Sequence, residues 1–431
     1  MTKQLLQRRE IVEVDIGLYV HVAFCRSICY YCDFNTYAGQ SALIPRYVGA
    51  LVKEIAALPT ALPGVPSSPS TPFRIGSIFF GGGTPSLLTP EQVGTVLAAA
   101  RRWRVVEDAE VTLEANPGDL SASGLRALRE AGVNRLSLGV QSFDDRMLRR
   151  LGRWHDAATA IAACRQAREA GFDNVSIDLM FALPGQTLEH WITTIDHALA
   201  LAPDHLSLYN LTIEDGTPFG KWKATGKLSV PDDDVAADMY QAAIDRLGAA
   251  GYEQYEISNW ALSSPPPYPR HGDTGTRLRV DGRGEDRGRD LRGQHNLRYW
   301  RNQPYFGVGA GAHSSFHGYR YANPRSPASY VARVESGESP VESAEKIDRE
   351  LEMGETMMLG LRLAEGVGID AFRDRFGCTP EDVFGDVLAE LTDVGLLTTV
   401  DRRVYLTHRG RFLGNEVFCR FLPSSLGSAA Q

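Results

Sequence analysis

Between residues 18 and 257 short β-branched runs alternate with longer helix-patterned stretches, and this rhythm constrains the fold more than any other feature of the chain. Six runs read as strands, at 18–23, 75–80, 110–114, 135–140, 174–179 and 205–211, with a weaker seventh at 252–257. Helical patterns fill the gaps at 44–58, 90–103, 121–131, 157–170, 188–201 and 233–250, the third opening on small polar residues and ending before Gly132. Strand followed by helix, repeated, is the βα unit. The expected fold class is therefore α/β, a full or partial (β/α) barrel of six or seven parallel strands covered by helices, and residues just beyond each strand are the first candidates for chemistry.

The chain has 431 residues, enough for about three domains or for one large barrel with a small appendix. No run of 18 apolar residues is present and the opening MTKQLLQRREIVEVD carries charges in place of an apolar core, so neither a membrane span nor a secretion signal is expected. The expected location is the cytoplasm, with peripheral membrane contact at most. A net charge of −8 offers no general attraction for nucleic acid. The barrel should occupy 1–260. Residues 261–294 form an expected disordered insertion, since 263–293 is rich in Pro, Gly, Arg and Asp with almost no large apolar side chains. Its arginines could make a partner-binding arm, but they are interleaved with acids. A connector covers 295–345, and 346–431 should form a helical, winged-helix-like domain whose lack of a basic recognition face favours packing over DNA binding.

Directly after the first strand stands Cys25-Arg-Ser-Ile-Cys29-Tyr-Tyr-Cys32, half of the chain's six cysteines within eight residues. That crowding suggests metal ligation in a reduced compartment. Structural zinc wants four ligands, and only His21 or Asp33 could complete the set. A [4Fe–4S] cluster held by three thiolates keeps one iron open for an exchangeable ligand, and this reading is preferred.

The CxxxCxxC spacing, with Tyr31 before the last cysteine, resembles the radical S-adenosylmethionine (SAM) superfamily. GLYVHVAFCRSICYYCDF, FFGGGTPS, LEANPG, RLSLGVQSFDD, LGRWH, SIDLMFALPGQT, SLYNLTIEDGTP, YEISNWA, HNLRYW and GVGAGAHS, in that order, resemble the HemN/HemW family of tetrapyrrole proteins over nearly the whole chain except the insertion. The resemblance implies a barrel of radical SAM type, in which the amino and carboxylate groups of SAM chelate the open iron and an electron passed through the cluster cleaves it to methionine and a 5′-deoxyadenosyl radical. Gly81, Gly82 and Gly83 end the second strand, where missing side chains let the backbone approach the methionine end of SAM. Thr84 adds a hydroxyl, while Glu114 and Asp178, at the ends of the third and fifth strands, can accept hydrogen bonds from it. By resemblance Tyr19, Gln141 and Arg153 join them as cofactor contacts.

Within this family the oxygen-independent coproporphyrinogen III dehydrogenases carry CxxxCxxCxC, where this chain has Phe34, and they carry a longer arm before the cluster loop than the 24 residues found here. Both departures point to the HemW branch, which implies a haem-binding protein handing haem to clients and not expected to act as that dehydrogenase. His295, heading HNLRYW, is then the candidate haem contact, flanked by Tyr299 and Trp300 and expected near the barrel mouth. The alternatives are the dehydrogenase itself and a DNA-associated regulator.

Overall fold

The computed structural model describes residues 13–58, 62, 73–263 and 290–423. Its main feature is one sheet of twelve strands: β1 (Val14–Val22), β2 (Phe73–Gly82), β3 (Arg104–Ala115), β4 (Arg135–Gln141), β5 (Val175–Phe181), β6 (His205–Asn210), β7 (Tyr252–Glu256), β8 (Asn259–Leu262), β9 (Tyr305–Val308), β10 (His313–Phe316), β11 (Tyr319–Ala322) and β12 (Ser343–Lys346). Their order is β12-β11-β10-β9-β1-β2-β3-β4-β5-β6-β8-β7. The seven strands from β9 to β6 run parallel, and the two flanks are antiparallel. The sheet is thus an open, partial barrel with no pairing between β12 and β7.

Helices α1 (Ile44–Ala57), α2 (Pro90–Ala100), α3 (Ala122–Ala131), α4 (Asp145–Leu151), α5 (Ala157–Glu169), α6 (Leu188–Ala200), α7 (Pro218–Ala224) and α8 (Asp233–Ala249) follow the parallel strands. Local chemistry sets their ends. Ser121, Asp156 and Thr187 accept N–H bonds at the starts of α3, α5 and α6, and Gly132 closes α3 in the left-handed conformation. The strands alternate between two faces. On β1, Ile16, Leu18, Val20 and Val22 pack outward in one core with Tyr47, Val48 and Leu51 of α1. The opposite face is polar. Glu110 and Glu114 of β3, Arg135 and Ser137 of β4, Ser176 and Asp178 of β5, and His205 of β6 meet across it, for example through Ser137–Asp178 and Ser176–His205 hydrogen bonds of 2.9 and 2.8 Å.

Two expectations need correction. Tyr252–Glu256 is not a seventh parallel strand: the turn at Ile257 and Ser258 folds it back on β8 as a hairpin. The seventh parallel strand is β9, only four residues long and so without a readable period. The expected disordered insertion lies for the most part outside the described residues, together with all of its arginines except Arg292. Its last residues are packed, however. Leu291 is buried beside Tyr255 and Leu297, and the Gly293 N–H donates to the Tyr255 hydroxyl at 3.1 Å.

Beyond a further helix (Pro327–Glu335), helices Arg349–Gly360, Ile369–Phe376 and Pro380–Asp393 and a three-stranded antiparallel sheet enclose a second apolar core that includes Met357, Leu361, Phe372, Leu391, Val404 and Phe418. This is the expected small helical, winged-helix-like unit.

Candidate functional site

The three loop cysteines leave the carboxyl end of β1 together. Phe24 and Cys25 pair with Tyr37 and Ala38 in a two-residue parallel ladder that closes the loop, and the Cys32 N–H turns back to the Cys29 carbonyl at 3.2 Å. Burial pushes the Cys25 and Cys32 thiols up, and each is raised further by its neighbouring cysteines. Thr84 donates its hydroxyl to Cys25 Sγ at 3.3 Å, and Arg153 places Nη1 3.5 Å from Cys29 Sγ. Three cysteines on one loop, with two donors aimed at two of their sulfurs, suit iron bound as thiolates. Among the described residues, no three His, Cys, Asp or Glu side chains are gathered tightly enough to ligate a single metal ion, so the fit rests on thiolate chemistry and on the shared loop. The other cysteines lie elsewhere: Cys164 in α5, its thiol pushed up to about 12 by burial, and Cys378 and Cys419 in the carboxyl-terminal unit.

Of the would-be fourth zinc ligands, Asp33 stands exposed next to Cys32, and His21 is otherwise engaged. His21 Nε2 lies 2.9 Å from the Asn35 carbonyl, which can only accept, so Nδ1 is left to accept from the Tyr19 hydroxyl at 3.0 Å. Burial lowers the pKa of this imidazole and keeps it neutral. Tyr19 therefore reaches the cluster loop through His21 and Asn35, whose amide donates on to the Ala310 and Arg325 carbonyls.

The glycine run meets the loop at close quarters. The Gly83 N–H donates to the Val22 carbonyl at 2.8 Å, and a Cβ on Gly83 would stand 2.7 Å from the Phe24 carbonyl oxygen and 3.1 Å from Cys25 Sγ. Gly82 has φ +107°, and a Cβ there would enter the His21 ring. Its N–H donates to Glu114 Oε2 at 3.3 Å. Burial, with Asp178 nearby, pushes the Glu114 carboxyl up to about 8. Asp178 is also raised by burial, against hydroxyls of Ser207, Ser137 and Ser176 that favour its ionised form. Arg135 of the same face lowers both, yet burial outweighs it, and two neighbouring acids held in this way fit a pocket built for a positively charged ligand.

Gln141 and Arg153 complete the mouth. Gln141 holds φ +66° at the end of β4, an uncommon conformation for a residue with a side chain, and its Oε1 is buried with no partner. An orphaned acceptor at a strand end fits a bound donor. Arg153 Nη2 donates to the Gly139 carbonyl at 2.6 Å and to the Asn116 side chain. Burial opposes its charge, but Tyr31 and Cys29 beside it hold the guanidinium above its usual range. Cys25, Cys29, Cys32, Gly82, Gly83, Thr84, Glu114, Gln141, Arg153 and Asp178 thus gather at one end of the sheet, while Tyr19 lies deeper, its ring between those of His21 and His295. Sequence reasoning passed over Asn116, which bridges Arg153 to the Thr84 hydroxyl at 3.3 Å, and Tyr209, exposed at the end of β6 beside Asp178. The signal for both was position, since each stands directly beyond or at the end of a strand.

His295 is not at the mouth. It begins a short helix, α9 (Gln294–Trp300), that closes the opposite end of the lumen. Its backbone N–H is held by Glu110, its Nδ1 lies 2.9 Å from Ser77 Oγ and its Nε2 3.0 Å from the Tyr299 hydroxyl. Its ring stacks on Phe79 and is fully buried, which lowers its pKa to about 3. Both nitrogens are engaged and neither faces solvent in this arrangement, and the ring lies 6.4 Å from that of Tyr19. Arg298 braces the same floor through Ser77 and Asp15 at 3.0 and 2.6 Å.

Comparison with known proteins places this geometry. Residues 19–198 match the radical SAM superfamily and residues 347–413 match the HemN C-terminal domain. The heme chaperone HemW of Bacillus subtilis (strain 168) is 38% identical over 406 residues, covering 94% of this chain and 98% of the relative. The chain belongs to the HemW family. The heme chaperone HemW of Lactococcus lactis subsp. lactis is 34% identical over 94% of this chain and 96% of its own. Among solved structures, coproporphyrinogen III oxidase (HemN) from Escherichia coli, a radical SAM enzyme, superposes with a TM-score of 0.75 at 25% identity over 95% of this chain and 90% of its own. The open sheet with its mouth-side cysteine loop is accordingly the radical SAM fold. Among the described residues, no helix is long and apolar enough to cross a membrane.

Proposed function

We propose that this protein is a haem chaperone that binds haem and delivers it to client proteins, with a SAM-binding [4Fe–4S] cluster in the barrel mouth. Identity of 38% to a heme chaperone over 94% of the chain is the observation that carries the reading. Phe34 supports it, because it stands, exposed, where the dehydrogenase pattern has a further cysteine. Cys25, Cys29 and Cys32 would hold the cluster. Gly82, Gly83 and Thr84 would approach SAM with backbone and hydroxyl groups, Glu114 and Asp178 would accept from its cationic and hydroxyl groups, and Gln141 and Arg153 would orient it. Tyr19 acts at one remove, through His21, on the loop that carries the thiolates. When bound, the cluster supplies one electron to the sulfonium of SAM; the residues position the ligand and exclude water. The same reading assigns 1–260 to the barrel, 261–294 to an insertion, 295–345 to a connector and 346–431 to a carboxyl-terminal unit, and it calls for a one-electron donor, client proteins and a cytoplasmic setting.

Haem titration of the anaerobically reconstituted protein, beside an assay for protoporphyrinogen formation from coproporphyrinogen III, tests the proposal. Haem binding without product is expected. Robust product formation would restore the dehydrogenase reading.

A further inference from the structure

The hydrogen bonds around the cysteine loop converge on one residue that the proposed function leaves unused. Asn116 is the first residue beyond β3, and Pro117 after it disfavours a helical turn, so the strand's alternation runs on for one more step. Its side chain is thereby sent to the same face as that of Glu114, two residues earlier. The backbone is pinned there. The Asn116 N–H donates to Ser86 Oγ at 3.4 Å, Ser86 donates on to Asp119 Oδ2 at 2.8 Å, and the Asp119 N–H returns to the Asn116 carbonyl at 3.2 Å.

The amide has no freedom to flip. Arg153 Nη2 faces one end of it and can only donate, so that end is the oxygen, and the nitrogen must point to Thr84 Oγ1, 3.3 Å away. A hydroxyl that already accepts from Asn116 turns its own proton elsewhere, and Cys25 Sγ stands 3.3 Å off. On the other side the guanidinium is fixed by Asn116 and by the Gly139 carbonyl at 2.6 Å, which leaves Nη1 against Cys29 Sγ at 3.5 Å. Two sulfurs of the loop thus receive donors aligned by a single side chain. Cys32 is served separately, by the Phe34 backbone and by Thr36, which also reaches Cys25.

We infer that Asn116 is a positioning residue for the cluster: its amide aims the Thr84 hydroxyl at Cys25 and the Arg153 guanidinium at Cys29, and so makes the bound cluster easier to reduce. Donors to ligating sulfurs draw charge from the metal and favour the form that carries the extra electron. The inference rests on the cluster reading of the three cysteines. Replacement by aspartate isolates it, because Asn116→Asp keeps the acceptor for Arg153 but has no N–H. Thr84 then donates to the carboxylate and turns its proton away from Cys25.

The full chain is reconstituted anaerobically and its cluster is titrated with dithionite to set potentials, without SAM, read by electron paramagnetic resonance. Asn116→Asp should keep the iron content and melting temperature of wild type, while its ratio of reduced to oxidised cluster at a fixed potential falls at least tenfold, about 59 mV for one electron. Thr84→Val, which changes no charge, should lower the ratio at least threefold. The double variant should match Asn116→Asp, since both act through one hydroxyl. Asn302→Asp, which alters the same kind of bond, to Thr356 in the carboxyl-terminal unit, should titrate as wild type does. Where Asn116→Asp loads less iron, Asn116→Ala takes its place, and Thr84→Val must then add less in that background than alone. A wild-type ratio in Asn116→Asp, a double variant lowered by the product of the two effects, or an equal fall in Asn302→Asp overturns the positioning role and leaves the cluster reading in place. A wild-type protein that binds no iron overturns both.

Discussion

Glu114 gives the sharpest test of the SAM pocket. Burial and Asp178 raise its carboxyl to about 8 from an ordinary value near 4.5, and at about 1.4 kcal/mol per pKa unit its ionisation in the empty pocket costs on the order of 5 kcal/mol. A ligand whose cationic end faces this group prefers the carboxylate, so binding below pH 8 must release a proton. Apparent SAM affinity should therefore fall toward tenfold per unit well below pH 8, roughly fiftyfold in all from pH 8 to pH 6. Glu114→Gln keeps an acceptor for the Gly82 N–H but cannot ionise. It should bind SAM more weakly at pH 8, approach wild type at pH 6 and show a nearly flat profile between them. SAM is titrated at pH 6, 7 and 8 against the electron paramagnetic resonance signal of the reduced cluster. Equal slopes in wild type and variant would refute the reasoning, because the proton would then belong to another group.

Gly83→Ala forces a Cβ to within 2.9 Å of two carbonyl oxygens and 3.1 Å of Cys25 Sγ, so it should cost about 1–3 kcal/mol and lower the iron bound after reconstitution; Gly94→Ala, whose Cβ meets nothing closer than 3.7 Å, is the control that should keep full iron. Burial pushes Glu54 up to about 7 against bonds from Tyr330, Asn323 and the Gly309 N–H. A raised carboxyl stabilises the fold fully below its unfolded value and loses that contribution as pH rises through its folded one. Wild type should therefore lose roughly 2–3 kcal/mol between pH 5 and pH 8 relative to Glu54→Gln, read by urea denaturation; parallel curves for the two proteins would discard the assignment.

Much of the fold was legible because its signals are local. Six of the seven parallel strands and six helices announce themselves through β-branched runs, caps and periodicity, and the cysteine spacing names its own chemistry. What stayed hidden depends on long-range pairing. Tyr305–Val308 is too short to carry a period, and only its register beside β1 makes it a barrel strand. Tyr252–Glu256 reads as a strand from composition, but its direction is decided by the next turn. His295 shows the limit most clearly. A histidine among aromatics reads the same whatever it touches, and the partners that surround His295, Ser77 and Glu110, lie more than 180 residues away in sequence. Glu110 and Arg135, read from sequence only as the first residues of strand runs, turn out to belong to the polar face beneath the site.

The floor also bears on how the fold is assembled. Helix α9 is held by Ser77 of β2, Glu110 of β3 and, through Arg298, Asp15 of β1. Each of these partners lies more than 180 residues earlier in the chain, so the polar ends of those three strands stay without their lid until residues 294–300 arrive. Contacts of such separation carry the closure entropy of a long loop, which makes this helix a keystone, set last and holding strands that were laid first.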